Sequence, residues 1–245
     1  SLLRKENKNF ISPSFPTISA VGENGAIIHY CPQEQNSKLL QEGELYLCDS
    51  GGQYTYGTTD VTRTVLIGEK TKHLKDFQDI YTRVLIGHIN LTSLKFPDDT
   101  KGFQIDAIAR VALWETFKDY AHGTGHGVGS FLSVHEGPQS ISRGSNNTIL
   151  KPGMIVSIEP GYYEEKKYGI RLENLVLITK SINKKFLMFE PLTLVPFQKK
   201  LINKKIMNSN QIMWLNTYHQ FVYKTLKNFL SKSEQIWLLH QTKQI

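Results

Sequence analysis

Cysteine is nearly absent from this chain of 245 residues, where Cys31 and Cys48 are the two thiols. They are too few for a disulfide framework, a Cys-x-x-Cys redox pair or a thiolate zinc site, so the expected setting is reducing and cytoplasmic. Long apolar runs are missing too. No stretch approaches the roughly 18 consecutive apolar residues of a membrane span, so no membrane partner is expected. The opening SLLRKENKNF carries charge without a following apolar segment and does not read as a signal peptide; lacking an initial Met, the chain reads as a fragment or a processed product. What is present, 40% hydrophobic and 21% charged residues, is ordinary for a globular protein and excludes disorder throughout.

A net charge of +7 invites a nucleic-acid reading, but its distribution argues otherwise. Residues 1–179 hold 18 Lys+Arg against 20 Asp+Glu, whereas residues 180–245 hold 11 against 2. The tail lysines fall in scattered pairs (Lys184/Lys185, Lys199/Lys200, Lys204/Lys205) without an interleaved aromatic platform. They read as a solvated face, and no nucleic-acid partner is expected.

Hydrophobic spacing divides the chain. GAIIHY, ELYLCDSGGQY and TTDVTRTVLIG read as short β-rich runs, the last two as paired antiparallel strands. From Lys72 to Leu94, apolar residues recur every three or four positions, as on a helix with one buried face, and a second helix is expected over Ile105–Tyr120. The glycine-crowded AHGTGHGVGSFLSVHEGP resists a regular helix, and GMIVSIEPGYYEEKKYGIRLENLVLIT reads as two strands around a turn. After Pro196 glycines vanish and amphipathic helical spacing takes over through Trp214, Leu215, Tyr218, Phe221, Val222, Leu226, Phe229 and Leu230. Two units are therefore expected: residues 1–195, mixed α/β (α+β), and a helical extension at 196–245.

Asp49 and Asp60 lie eleven apart in DSGGQYTYGTTD, where neighbouring antiparallel strands would bring both carboxylates to one point. Either alone reads as a turn or strand-end residue. Glu159 follows the apolar run MIVSI, and Glu173 sits in GIRLENLVLI, where alternation places Arg171 beside it on one face. Four acids in strand contexts with one arginine repel one another unless cations compensate them, and two divalent ions suffice. His122, His126 and His135 crowd the glycine-rich loop and His29 lies upstream. His122 and His126 have the spacing of a helical zinc protease, but GTG is a poor helix and lacks its glutamate. Carboxylates with one imidazole and no thiolate favour Mn²⁺, with Co²⁺ or Zn²⁺ as alternatives.

The strings DSGGQYTYGTTDVTRT, HGTGHGVGSFLSVHEGP and IEPGYYEEKKYGIRLENLVL resemble the catalytic domain of the aminopeptidase P (X-prolyl aminopeptidase) family, among the pita-bread metallopeptidases. Similarity is strong from Phe15 to Pro196, and PLTLVPFQKKLI with WLNTYHQ resembles the C-terminal extension of the large cytosolic eukaryotic type. The resemblance implies a pita-bread fold entered partway, lacking its first helices. It also implies two metal ions: Asp49 on one, Asp60 and Glu173 bridging, and His126 with Glu159 completing the other. His122, His135 and Arg171 would be catalytic and substrate-facing, with Glu159 also moving the proton, and His29 would lie near the proline subsite. A water shared by two divalent ions loses its proton near neutral pH, which provides a nucleophile for the bond before proline.

The implied activity is release of the first residue from peptides with proline second, by a protein that is a homodimer at full length. A prolidase acting on X-Pro dipeptides and a non-catalytic binding module of the same fold are the alternatives. A chain missing its front layer is also expected to expose apolar surface.

Overall fold

The computed structural model describes residues 2–33, 35 and 37–245. Two antiparallel sheets carry the architecture. One has three strands, Ile18–Val21, Leu45–Asp49 and Thr62–Leu66, with the middle strand pairing both neighbours. The other orders Ile155–Ile158, Asn174–Lys180, Phe186–Pro191 and Lys95–Pro97. A hairpin, Gly161–Glu164 with Tyr168–Arg171, joins the two halves of the last motif.

The periodicity over Lys72–Leu94 yields a helix at Leu74–Thr92, whose Phe77, Ile80, Tyr81, Val84, Leu85 and Ile89 enter the main core. Gly87 sits inside it, where Ala would ordinarily gain about 1 kcal/mol of helix propensity. A Cβ there would lie 2.0 Å from the Ala109 carbonyl oxygen, so close approach decides the residue.

Several sequence expectations are corrected. GAIIHY forms no strand: Gly22–Ala26 is a 3₁₀ turn, and His29 lies exposed beyond it. Ile105–Tyr120 is not one helix but a 3₁₀ turn at Asp106–Ala109 and a short helix at Val111–Trp114, with Phe117 at φ 58° reversing the chain. Arg110 explains the break. Fully buried, its guanidinium grips Asp106 and draws in the carbonyls of Tyr120 (2.7 Å) and His122 (2.9 Å), which a straight helix would carry away. The expected two-strand segment is four strands, interrupted at Glu159–Pro160 and at Leu172–Glu173. Pro160 has no N–H to donate to a ladder.

After Pro191 the chain packs back on the same core. The helices Ser209–Leu226 and Lys232–Gln241 each start with a capping box, Asn208/Gln211 and Ser231/Glu234. Leu215, Tyr218 and Val222 are buried, whereas Phe221 and Phe229 of the expected stripe are 50% and 84% exposed. Among the described residues, no helix is long and apolar enough to cross a membrane.

Two histidines in this core set a pH dependence. His88 is fully buried, edge-on to Phe197, and desolvation, assisted by the Arg63 charge, lowers its pKa to about 3. His219 accepts a hydrogen bond from the Phe197 N–H, and burial lowers its pKa to about 4. Unfolded, both titrate near 6.5. The unfolded chain then binds protons that the folded chain refuses, so each contribution is complete above about pH 6.5 and is lost as pH falls towards the folded value. Relative to His88→Leu, wild-type stability is expected to fall by about 1.4 kcal/mol per pH unit between about pH 6 and 4, measured by urea unfolding. Parallel profiles would contradict this.

Candidate metal centre

Asp49 ends its strand opposite Thr62 and is the one acid of the four inside a strand. Asp60 lies in the loop entering Thr62–Leu66, and Glu159 and Glu173 occupy the two interruptions described above. A strand end or break frees the side chain from strict alternation, which is how four acids separated in sequence reach one region.

Asp60, His126 and Glu173 each offer a ligand atom within 4.8 Å of the others. The His126 Nε2 lies 3.5 Å from Asp60 Oδ2 and 3.4 Å from Glu159 Oε1. Its ring is fixed from behind by the Gly127 carbonyl at Nδ1 (2.9 Å), and its main-chain N–H donates to Ser157 Oγ. With Nδ1–H donating to that carbonyl, Nε2 is the basic nitrogen that faces the acids. Glu159 accepts from Ser157 Oγ at 3.2 Å, and its N–H donates to the Thr124 carbonyl, which ties the glycine-rich loop to the strand Ile155–Ile158.

Arg171 does not pair with Glu173, contrary to the reading by alternation. The chain breaks between them, and the guanidinium donates instead to Asp49 Oδ2 (2.7 Å) and to the Tyr163 hydroxyl (2.7 Å). Thr62 links the two: its Oγ1 accepts from Arg171 Nε (3.3 Å) and donates to Glu173 Oε2 (2.8 Å). Tyr163 continues the chain to His122 Nε2 at 2.9 Å, while His122 Nδ1 meets the Gly123 carbonyl. Thr62 and Tyr163 were not singled out from sequence. Position 62 follows Asp60 by two and could have been found by alternation, whereas the contacts of Tyr163 come only from the fold.

The electrostatics of the cluster are strained. Burial raises Asp49 to about 6 against the pull of Arg171, and raises Glu159 to about 7 against the pull of His126. Glu173 is raised well above the carboxylate range, by burial first and then by Asp60, Glu159 and Asp49. His126 moves the other way, to about 9: burial lowers it, but the hydrogen bond to Asp60 and the charge of Glu159 outweigh that. Desolvation lowers His122 to about 4 and also lowers His135.

Three buried carboxylate oxygens of this cluster, Asp49 Oδ1, Asp60 Oδ1 and Glu173 Oε1, have no hydrogen-bond partner among the described residues. An unpaired buried acceptor costs about 1–3 kcal/mol, more when charged. Oxygen donors beside a single imidazole suit hard divalent cations, so the residues present fit a metal centre.

A cavity of about 530 Å³ opens over the cluster, within the range of small-ligand sites. Asp49, Asp60, His126, Glu159 and Arg171 line it together with His29, His122 and His135, so the structure gathers every candidate site residue there except the more deeply placed Glu173. Phe15, Pro16, Ile18, Ile28 and Val134 supply apolar wall. His135 stands edge-on to His126, ring centroids 4.3 Å apart.

Residues 2–180 match the model of metallopeptidase family M24, and residues 185–245 match that of the C-terminal region of peptidase_M24. Xaa-Pro aminopeptidase 1 of Dictyostelium discoideum is 46% identical over 98% of this chain and 39% of its own length. The crystal structure of X-prolyl aminopeptidase from Caenorhabditis elegans, described as a cytosolic enzyme with a di-nuclear active site, superposes with a TM-score of 0.93 at 41% identity, over 100% of this chain and 41% of that one. Prolidase from Pyrococcus furiosus gives 0.64 at 32% identity over 76% of this chain and 50% of that one. The chain thus spans about two fifths of the length of the Dictyostelium and Caenorhabditis proteins. On these likenesses the chain belongs to metallopeptidase family M24 and has its pita-bread fold.

Proposed function

We propose that this chain forms the catalytic centre of a metal-dependent aminopeptidase that removes the first residue from peptides with proline in second position. The observation that carries the reading is the set of three unpartnered, buried carboxylate oxygens on Asp49, Asp60 and Glu173. In this reading Asp49 would hold one ion, His126 with Glu159 the other, and Asp60 and Glu173 would serve both; Mn²⁺ is the ion favoured by the donor set. When bound, such a pair supplies Lewis acidity, lowering the pKa of water and polarising an amide carbonyl.

The chain's own side chains do the rest. Glu159, whose carboxylate lines the cavity, accepts a proton there. His135, on the cavity rim beside His126, donates to the oxygen of the scissile amide or to the departing nitrogen. His122 is held in place, its two nitrogens engaged by Gly123 and Tyr163, and presents its ring to the substrate. An amide nitrogen in proline has no hydrogen to bind, so the ring itself must be gripped, and His29 with the apolar wall is the surface offered. The match of residues 185–245 to the C-terminal region and the 46% identity to Xaa-Pro aminopeptidase 1 over 98% of this chain support this activity over that of a prolidase. A homodimer working in the cytoplasm completes the proposal.

The test is hydrolysis by the full-length protein with Mn²⁺. Cleavage of an X-Pro-Pro peptide at the first bond, with at least about tenfold lower kcat/KM on an X-Pro dipeptide, is expected. Preference for the dipeptide would make it a prolidase, and binding without turnover a non-catalytic module.

A further inference from the structure

Arg63 follows Thr62 and, by strand alternation, faces the other way, towards the segment after Pro191. It is 8% exposed, and its donors are all engaged. Nε donates to the Pro196 carbonyl (3.2 Å) and Nη2 to the Val195 carbonyl (2.6 Å) and Asn174 Oδ1 (2.7 Å). Nη1 donates to the carbonyls of Thr62 (2.9 Å) and Glu173 (2.5 Å). The guanidinium lies 4.2 Å from the Phe197 ring centroid. Tyr218, on the helix Ser209–Leu226, backs the assembly with its hydroxyl 2.9 Å from the carbonyls of Thr193 and Val195 and 3.3 Å from Nη2.

Glu173 lies outside any strand, so no ladder fixes it. It is held instead at three points: its N–H by the Thr62 carbonyl (3.1 Å), its carbonyl by Arg63 and its Oε2 by Thr62 Oγ1. This leaves Oε1 as the free oxygen. From this geometry, and resting on the metal-centre reading above, we infer that Arg63 is a positioning residue: braced by Val195, Pro196 and Tyr218, it fixes the Glu173 carboxylate for metal binding, making the C-terminal segment part of the catalytic centre's frame.

Lysine keeps the charge but offers one nitrogen and three protons, too few to span both sides. The test is Mn²⁺ titration calorimetry on the full-length protein, stripped of metal, with kinetics on an X-Pro-Pro peptide. Arg63→Lys is expected to weaken Mn²⁺ binding about 10- to 100-fold, the range seen when a partner behind a metal ligand is lost. At saturating Mn²⁺ it is expected to lower kcat while KM stays within about twofold. Arg83→Lys, altering a pair with Asp79 and Glu115 elsewhere, controls for loss of a partly buried arginine and should leave the Mn²⁺ affinity unchanged. Wild-type Mn²⁺ affinity in Arg63→Lys, whatever its melting temperature, would overturn the inference alone. Should that variant fail to fold, Tyr218→Phe carries the test: weaker Mn²⁺ binding supports the inference and wild-type affinity overturns it. A wild-type protein that binds no Mn²⁺ would overturn the metal-centre reading, and this inference with it.

Discussion

Glu173→Gln is expected to lower kcat/KM on an X-Pro-Pro peptide by about a thousandfold or more while leaving the metal-free protein at least as stable as wild type. The first half follows from the proposed bridging role: Lewis-acid stabilisation is worth several kcal/mol, and each 1.36 kcal/mol is about tenfold in rate. The second half follows from electrostatics. Glu173 is 1% exposed, its pKa is raised by burial and by three neighbouring carboxylates, and its Oε1 has no partner. An amide keeps the volume and the bond accepted from Thr62 Oγ1 while removing a group that is costly to ionise. Loss of activity together with loss of metal-free stability would point to a structural role; near-normal turnover with both ions bound would remove Glu173 from the centre.

Arg171→Leu is expected to behave in the opposite way. Arg171 is 2% exposed and its removal strands the Asp49 carboxylate, whose pKa burial and Asp60 already raise. Breaking a buried pair by deleting one partner costs about 3–5 kcal/mol. If Asp49 holds a cation, saturating Mn²⁺ supplies the missing positive charge and restores part of that loss, beyond any stabilisation of wild type by the same Mn²⁺. Thermal melts of wild type and variant with and without Mn²⁺ read the difference. A deficit that Mn²⁺ does not narrow would mean that Asp49 is compensated by Arg171 alone.

These two substitutions also show where sequence was informative. Helix Leu74–Thr92 was legible because its stripe repeats at helical spacing, and the pairing of Leu45–Asp49 with Thr62–Leu66 because both alternate. The motifs singled out the acids and histidines, and the structure brings a ligand atom of each of Asp60, His126 and Glu173 within 4.8 Å of the others. Arg171 shows the limit. Alternation assigned it to Glu173, two residues away, yet its partner Asp49 is 122 positions distant, and the break at Leu172–Glu173 depends on contacts that no local pattern reports. The same holds for Ile105–Tyr120, where helical spacing was overridden by one buried arginine, and for GAIIHY, where β-branched residues lie in turns. Local propensity is a weak prior that tertiary contacts override.

Crystals of the full-length protein grown with Mn²⁺ and measured for anomalous scattering test the central claim most directly. Two peaks are predicted: one bound by Asp60, His126, Glu159 and Glu173, the other by Asp49, Asp60 and Glu173, at oxygen distances of roughly 2.0–2.6 Å. A single peak outside this set, or none in fully loaded crystals, would contradict it.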